Sequence, residues 1–371
     1  MTDISPIRMP KWGLAMQEGT VVHWWKEIGS QIAEGEELVD IETPKITNVF
    51  ESPQSGTLRR ITAQTGETLP VGALLGVIAE KTISDSEIDA FIADFQASFV
   101  PGEEEAEGTG ALSLSTVTVD GRSIRVGRAG TGEKAPIVLI HGYSGDLNNW
   151  LFNVEALAAE APVIAIDLPG HGESSKDVGD GSLAFLADSV TKTLDALGVQ
   201  RANLVGHSLG GAVAARLAAD HPERTASLTL IAPASLPGTQ VSEEFLTGIM
   251  ESQRARDLKP YLEMLFADPS LVNKDMIDEM VKDKRLDGVE DALMKIRDRL
   301  LGEEDRSSLA AALKKIPRAT VIASHNDKIV GAPSTDLADG FKIHWIDSAG
   351  HMPQLEAASE VNALIVQNIG T

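Results

Sequence analysis

Apolar and polar positions change rhythm twice along the chain. Up to residue 80 the apolar residues come in short runs, TVVHWW (20–25), ELVDIE (37–42), NVFES (48–52) and TLRRI (57–61), separated at regular intervals by Gly, Pro and Ser. Short runs bounded by turn formers are the pattern of β-strands. No helical periodicity of useful length precedes residue 83, so residues 1–80 are expected to form a small all-β domain. Next, Ile83, Ile88, Phe91, Ile92, Phe95 and Phe99 recur at helical spacing. Ser84 with Glu87 three residues on makes a capping box. A helix at 83–99 either packs back on a neighbouring domain or docks a partner subunit. From residue 113 onward, strand-like runs alternate with helical stretches such as 183–197 and 209–220. The runs are PIVLIH (136–141), PVIAID (162–167), NLVGHS (203–208), SLTLIA (227–232), ATVIAS (319–324) and KIHWID (342–347). Such alternation predicts an α/β domain with a parallel sheet covered on both faces. A mostly helical, highly charged insertion at about 237–318 breaks the rhythm, as expected of a cap over a site.

Charge sharpens the division. Residues 1–80 carry a net −5, residues 81–112 a net −7 with Lys81 as the one base, and residues 113–371 the remaining −11 of a total −23. The stretch PGEEEAEGTG (101–110) has almost nothing to bury and repels itself, so 81–112 reads as an acidic linker with a short amphipathic helix. A field of this sign repels phosphate backbones and anionic lipid, which argues against nucleic-acid or membrane-surface binding. No run of about 18 apolar residues is present for a membrane span. MTDISPIRMPKWG has neither an apolar core nor an Arg/Ser-rich amphipathic pattern, so the cytoplasm is the expected compartment. The chain has no cysteine, which removes disulfides, thiolate catalysis and Cys-ligated zinc. Any thiol chemistry must come with a cofactor.

Two sites stand out. In IETPKITNV (41–49), Lys45 falls in a tight reversal between two strands, where Pro44 suits the second position of a type I turn. A turn lysine is ordinarily a solubilising charge. The surrounding MPKWGLAMQEGTVVHWWKEIGSQIAEGEELVDIETPKI, however, resembles a lipoyl domain of the 2-oxoacid dehydrogenase complexes. Gly29 lies 16 residues before Lys45 and Gly56 lies 11 after it, as in that family's half-repeats. The family usually places Asp where this chain has Pro44. Related biotinyl domains set the lysine between methionines, whereas here the flanks are Pro44 and Ile46. The resemblance implies lipoic acid amide-linked to Lys45, supplying the thiols that the chain lacks.

The second site is Gly206-His207-Ser208-Leu209-Gly210, which follows a strand and opens a helix, the context a serine nucleophile elbow requires. Asp327 in SHNDKIV and His351 in SAGHMP follow two later strands, and reactive groups of open α/β sheets collect at such ends. Residues 115–370 resemble the α/β-hydrolase superfamily, with HGYSG (141–145) and DLPGHGES (167–174) as further matching motifs. The chemistry then casts Ser208 as nucleophile, His351 as base and Asp327 as its orienting acid. The N–H groups of Leu209 and Tyr143 would form the oxyanion hole. His141 and His171 read as loop-shaping residues and His207 as packing beside the elbow. His23, His221, His325 and His344 read as structural or surface residues. No metal-ligand spacing, P-loop or dinucleotide fingerprint occurs.

The fusion is similar to the dihydrolipoamide acetyltransferase subunit of acetoin dehydrogenase complexes. That resemblance implies passage of an acetyl group from S-acetyl-lipoyl Lys45 through acetyl-Ser208 to coenzyme A. It also implies two partners, a thiamine-diphosphate-dependent acetoin-cleaving component and dihydrolipoamide dehydrogenase. The serine triad does not itself choose between CoA and water. A serine esterase or thioesterase with the lipoyl domain as a mere carrier stays open at this point.

Overall fold

Among the described residues, eight short strands build the N-terminal part: β1 (Ile4–Arg8), β2 (Glu18–Trp24), β3 (Gln31–Ile32), β4 (Glu37–Glu42), β5 (Thr47–Glu51), β6 (Gly56–Ile61), β7 (Thr68–Pro70) and β8 (Leu74–Ala79). They form two antiparallel four-stranded sheets, ordered β1-β8-β6-β3 and β5-β4-β2-β7. The computed structural model describes residues 4–10, 18–43, 47–52, 54–99, 112–316, 318–334, 337 and 340–370. Val21, Leu38, Ile41, Leu58, Leu75 and Val77 are fully buried in this β unit. Helix α1 (Asp85–Ser98) opens on the Ser84–Glu87 capping box. It packs Ile88, Phe91, Ile92 and Phe95 against Leu74, Val77 and Ala79. Asp85 and Asp89 pair with Arg59 and Arg60 of β6. The helix therefore folds back on its own β-sheets. Pro44, Lys45 and Ile46, and the acidic stretch 101–110, lie outside the described residues.

The second unit is built on an eight-stranded sheet: β9 (Ser113–Val119), β10 (Arg122–Ala129), β11 (Ile137–Ile140), β12 (Val163–Ile166), β13 (Ala202–His207), β14 (Thr225–Ile231), β15 (Ala319–Ala323) and β16 (Phe341–Trp345). The order is β16-β15-β14-β13-β11-β12-β10-β9. The six strands from β11 to β16 are parallel. β11, β12 and β13 are buried along their whole length, as strands covered on both faces must be. The sheet is not wholly parallel. β9 and β10 form a hairpin that joins β12 antiparallel. Its turn is Asp120-Gly121, both at positive φ, which suits the right-handed twist of paired strands.

Helices α2 (Val154–Ala158), α3 (Leu183–Ala196) and α4 (Leu209–Asp220) follow the first parallel strands. Between β14 and β15 the chain makes a cap of five helices: α5 (Glu243–Glu251), α6 (Ala255–Glu263), α7 (Lys274–Lys284), α8 (Val289–Leu301) and α9 (Glu303–Leu313). Helices α10 (Pro353–Glu356) and α11 (Ala358–Ile369) close the fold. Because β11 lies between β12 and β13, the strand order reverses beside β11, and a crevice opens at the carboxyl ends of β11 and β13. Among the described residues no helix is long and apolar enough to cross a membrane.

Candidate active site

β13 ends at His207 and α4 begins at Leu209, so a single residue, Ser208, makes the reversal. It does so at φ 52°, ψ −115°, a strained conformation for a residue with a side chain. Close packing forces the flanking glycines. A Cβ on Gly206 would lie 2.2 Å from the Gly210 carbonyl oxygen, and one on Gly210 would lie 2.2 Å from that of Ile140. The elbow is tied to the next strand: the Ser208 N–H donates to the Ile231 carbonyl (2.9 Å), and the Ser208 carbonyl accepts from the Ala234 N–H (3.0 Å).

Asp327 follows β15 and His351 follows β16, and the structure brings them together. His351 Nδ1 lies 2.8 Å from Asp327 Oδ2, both side chains buried. Asp327 Oδ1 accepts the N–H groups of Ile329 (2.8 Å) and Val330 (3.0 Å). Burial pushes the Asp327 carboxyl up. The charge of His351, its hydrogen bond and the two N–H donors outweigh burial and hold the carboxyl below its usual range. The bond to Asp327 leaves the other ring nitrogen, Nε2, for the cavity. Ser208, His351 and Tyr143 line one enclosed cavity of about 60 Å³. The cap supplies its apolar wall with Phe245, Ile249, Leu262, Met280 and Leu300.

The N–H groups of Leu209, at the start of α4, and of Tyr143, after β11, have no protein acceptor among the described residues. Unpaired N–H groups at a helix start are donors in waiting. Tyr143 is tethered at its other end, its hydroxyl donating to the Leu293 carbonyl on α8 (3.0 Å). The adjoining Ser144 hydroxyl contacts Met280 Sδ on α7 at 3.2 Å. Ser208, Leu209, Tyr143, Asp327 and His351 thus come together at one end of the sheet. Lys45 lies outside the described residues, but β4 and β5 on either side of it are antiparallel neighbours with Glu42 opposite Thr47. Among the described residues no His, Asp and Glu cluster could hold a metal.

Sequence reasoning missed the residues that hold His351. His207 Nε2 donates to the His351 carbonyl (2.8 Å), and burial pushes the His207 imidazole down to about 3. Glu356 on α10 accepts the Gly350 N–H (2.7 Å) and the Ala267 N–H (2.8 Å), clamping the His351 loop to the cap. These contacts join residues far apart in the chain or in a loop without periodicity, so no local pattern signals them. His141 and His171 shape loops as expected. His141 Nε2 accepts the Leu168 N–H (3.0 Å), and His171 Nδ1 lies 3.1 Å from the Pro169 carbonyl oxygen.

A family model described as alpha/beta hydrolase fold matches residues 135–274, and one described as a biotin-requiring enzyme matches residues 5–78. The chain is 44% identical to the dihydrolipoyllysine-residue acetyltransferase component of the acetoin cleaving system of Pseudomonas putida, over 98% of this chain and 97% of that protein. The corresponding component of Cupriavidus necator is 41% identical over 99% of this chain and 98% of its own. A 2-hydroxy-6-oxononadienedioate/2-hydroxy-6-oxononatrienedioate hydrolase of Burkholderia vietnamiensis is 32% identical over 68% of this chain and 93% of its own. Among solved structures, a 2-hydroxy-6-oxo-6-phenylhexa-2,4-dienoate hydrolase from Rhodococcus shares the fold. Its TM-score is 0.64 at 19% identity, covering 71% of this chain and 100% of the other.

Proposed function

Because the chain belongs to the dihydrolipoyllysine-residue acetyltransferases of acetoin-cleaving systems, we propose that its second domain moves the acetyl group by way of Ser208. The observation that carries this reading is the 2.8 Å contact of His351 with Asp327 beside a strained serine in an enclosed cavity. We place the division of labour at 1–80 for the carrier domain, 81–112 for the linker and 113–371 for the catalytic domain, with the cap at about 237–318.

Lys45 is the attachment point in this reading, at a junction of two antiparallel strands in a chain without a thiol of its own. Lipoic acid bound there would supply the dithiol that carries the acetyl group as a thioester. At the second domain, His351 Nε2 takes the proton of Ser208 Oγ as that oxygen attacks the thioester carbonyl. The negative charge on the carbonyl oxygen meets the N–H groups of Leu209 and Tyr143, each such donor worth about 10²–10³ in rate. The C–S bond then breaks, His351 returns the proton to the departing thiolate, and the acetyl group remains on Ser208. In the second half the thiol of CoA gives its proton to His351 and its sulfur attacks the acetyl carbon. Ser208 leaves with that proton. Asp327 balances the imidazolium charge in both halves. The inferred partners are a thiamine-diphosphate-dependent acetoin-cleaving component upstream and dihydrolipoamide dehydrogenase downstream.

Water competes for the same acyl-enzyme, and the 32% identical hydrolase relative makes hydrolysis the second reading. A single turnover of chemically acetylated, lipoylated protein with CoA decides between them. Mostly acetyl-CoA, lost in Ser208→Ala, is the expected result. Mostly acetate would make the domain a thioesterase, and undiminished acetyl-CoA formation by Ser208→Ala would remove Ser208 from the reaction.

A further inference from the structure

Resting on CoA as the acceptor, we propose that a cleft on the cap, between the α5–α6 turn and the end of α7, binds the phosphates of the CoA nucleotide. The cleft has a volume of about 650 Å³, within the range of about 300–1,000 Å³ usual for ligand sites. Three of its lining residues are basic, Arg254, Lys282 and Arg285, against one carboxylate, Asp278. That local excess of positive charge stands on a chain of net −23, whose overall field repels a polyanion. A nucleotide bearing three phosphates needs such an island to approach at all.

The charges are disposed for an external ligand. Arg254 is held by Asp257 at 2.6 Å, as are many cap bases by neighbouring acids, for example Arg306 by Glu303 at 2.9 Å. Lys282 and Arg285 are exposed and make no ion pair among the described residues. Beside them Leu286, 45% exposed, offers an apolar face for a base ring. The walls are fixed to each other. The Lys284 ammonium, between the two free bases, donates to the carbonyls of Ile249, Met250 and Ser252 at the C-terminal end of α5. This pins α7 to α5 and leaves Lys282 and Arg285 to face the cleft.

The cleft is also correctly placed for the thiol. Ile249 and Met280 line the Ser208 cavity from the same two helices. At 1.5 Å per residue, Arg285 lies about 8 Å along the α7 direction from Met280. A nucleotide seated on Lys282 and Arg285 would send its pantetheine arm along α7 to the acetyl-serine.

The test compares the full-length, lipoylated wild type with Lys282→Glu/Arg285→Glu, using CoA and pantetheine as acceptors. Losing two charge-assisted phosphate contacts is expected to raise the KM for CoA at least about tenfold. The KM for pantetheine, which lacks the nucleotide, should move less than about twofold. Calorimetric titration with 3′,5′-ADP should show binding to the wild type and none to the variant. The neutral Lys282→Gln/Arg285→Gln is expected to fall between them. An unchanged KM for CoA, an equal loss with pantetheine, or 3′,5′-ADP binding that survives the charge reversal would each overturn the proposal. If the wild type makes only acetate with either thiol, CoA fails as acceptor, and the 3′,5′-ADP titration alone then decides the cleft.

Discussion

His207 sits one residue before Ser208, and its hydrogen bond to the His351 carbonyl ties it to the proposed base. Burial first, then the neighbouring His351, pushes its pKa to about 3, while Nδ1 is buried without a partner among the described residues. The sign follows from linkage. Unfolded, the imidazole binds a proton below about 6.5; folded, it resists until about 3, so the unfolded state binds more protons in that window and stability falls as pH drops. The slope is about 1.4 kcal/mol per pH unit. His207→Gln keeps an N–H donor and removes the titration. Denaturant unfolding at pH 6 and pH 4 should show the variant losing about 2 to 3 kcal/mol less than wild type across that interval. Equal losses would mean His207 takes its proton in the folded state. Tyr143 makes a second prediction at this scale. Its hydroxyl joins the loop proposed to supply an oxyanion donor to α8 of the cap, which would couple closure to the donor's position. Tyr143→Phe removes about 0.5–1.5 kcal/mol of tether, and the expected result is a roughly three- to tenfold loss of transfer with a larger share of acetate. An unchanged ratio of acetate to acetyl-CoA would uncouple the cap from the oxyanion loop.

The elements explain why some of this was legible and some was not. Ser208 and Asp327 follow buried strands and His351 follows the half-buried edge strand β16, and strand ends can be read from short apolar runs, so the three positions could be named before their meeting was seen. The elbow is legible for a steric reason, since Gly206 and Gly210 are dictated by backbone atoms 2.2 Å from any added Cβ. The β9–β10 hairpin was hidden by the strand–helix alternation that follows it, although Asp120-Gly121 marks its turn. The cap's five helices were visible only as a charged helical insertion. Which faces turn inward depends on partners elsewhere in the chain. Those faces set the third prediction. A cavity of about 60 Å³ walled by apolar side chains of the cap suits a short acyl group. Wild type should transfer propionyl at least about tenfold more slowly than acetyl, the usual scale for one methylene against a close wall. Ile249→Ala, which opens that wall from α5, should narrow the gap. A variant with the wild-type ratio of propionyl to acetyl rates would show that α5 does not set acyl length.

At the scale of the whole molecule, the question is how a carrier and a catalyst on one chain find each other. Fourteen residues separate Ser98, the end of α1, from Ser113, the start of β9, and covalent geometry limits their span to about 50 Å. A tether of this length confines the carrier to an effective concentration on the order of 1 mM at the catalytic domain of the same chain. Net charge of −23 acts in the same direction, because separate chains repel each other while the tethered pair cannot part. Delivery within a chain should therefore win. The check is complementation: Lys45→Arg, which removes the proposed attachment point, is mixed with loaded Ser208→Ala, which removes the proposed acyl carrier. At about 10 µM of each, transfer between chains should run roughly 100-fold below the wild-type rate, and raising the salt to screen the repulsion should recover only part of that deficit. Wild-type protein alone should show a single-turnover rate constant independent of its concentration. A mixture that works at full speed would mean the arm serves neighbouring chains, as in an assembly where many carriers feed many sites, and the tether would then set local density without pairing one lysine with one serine.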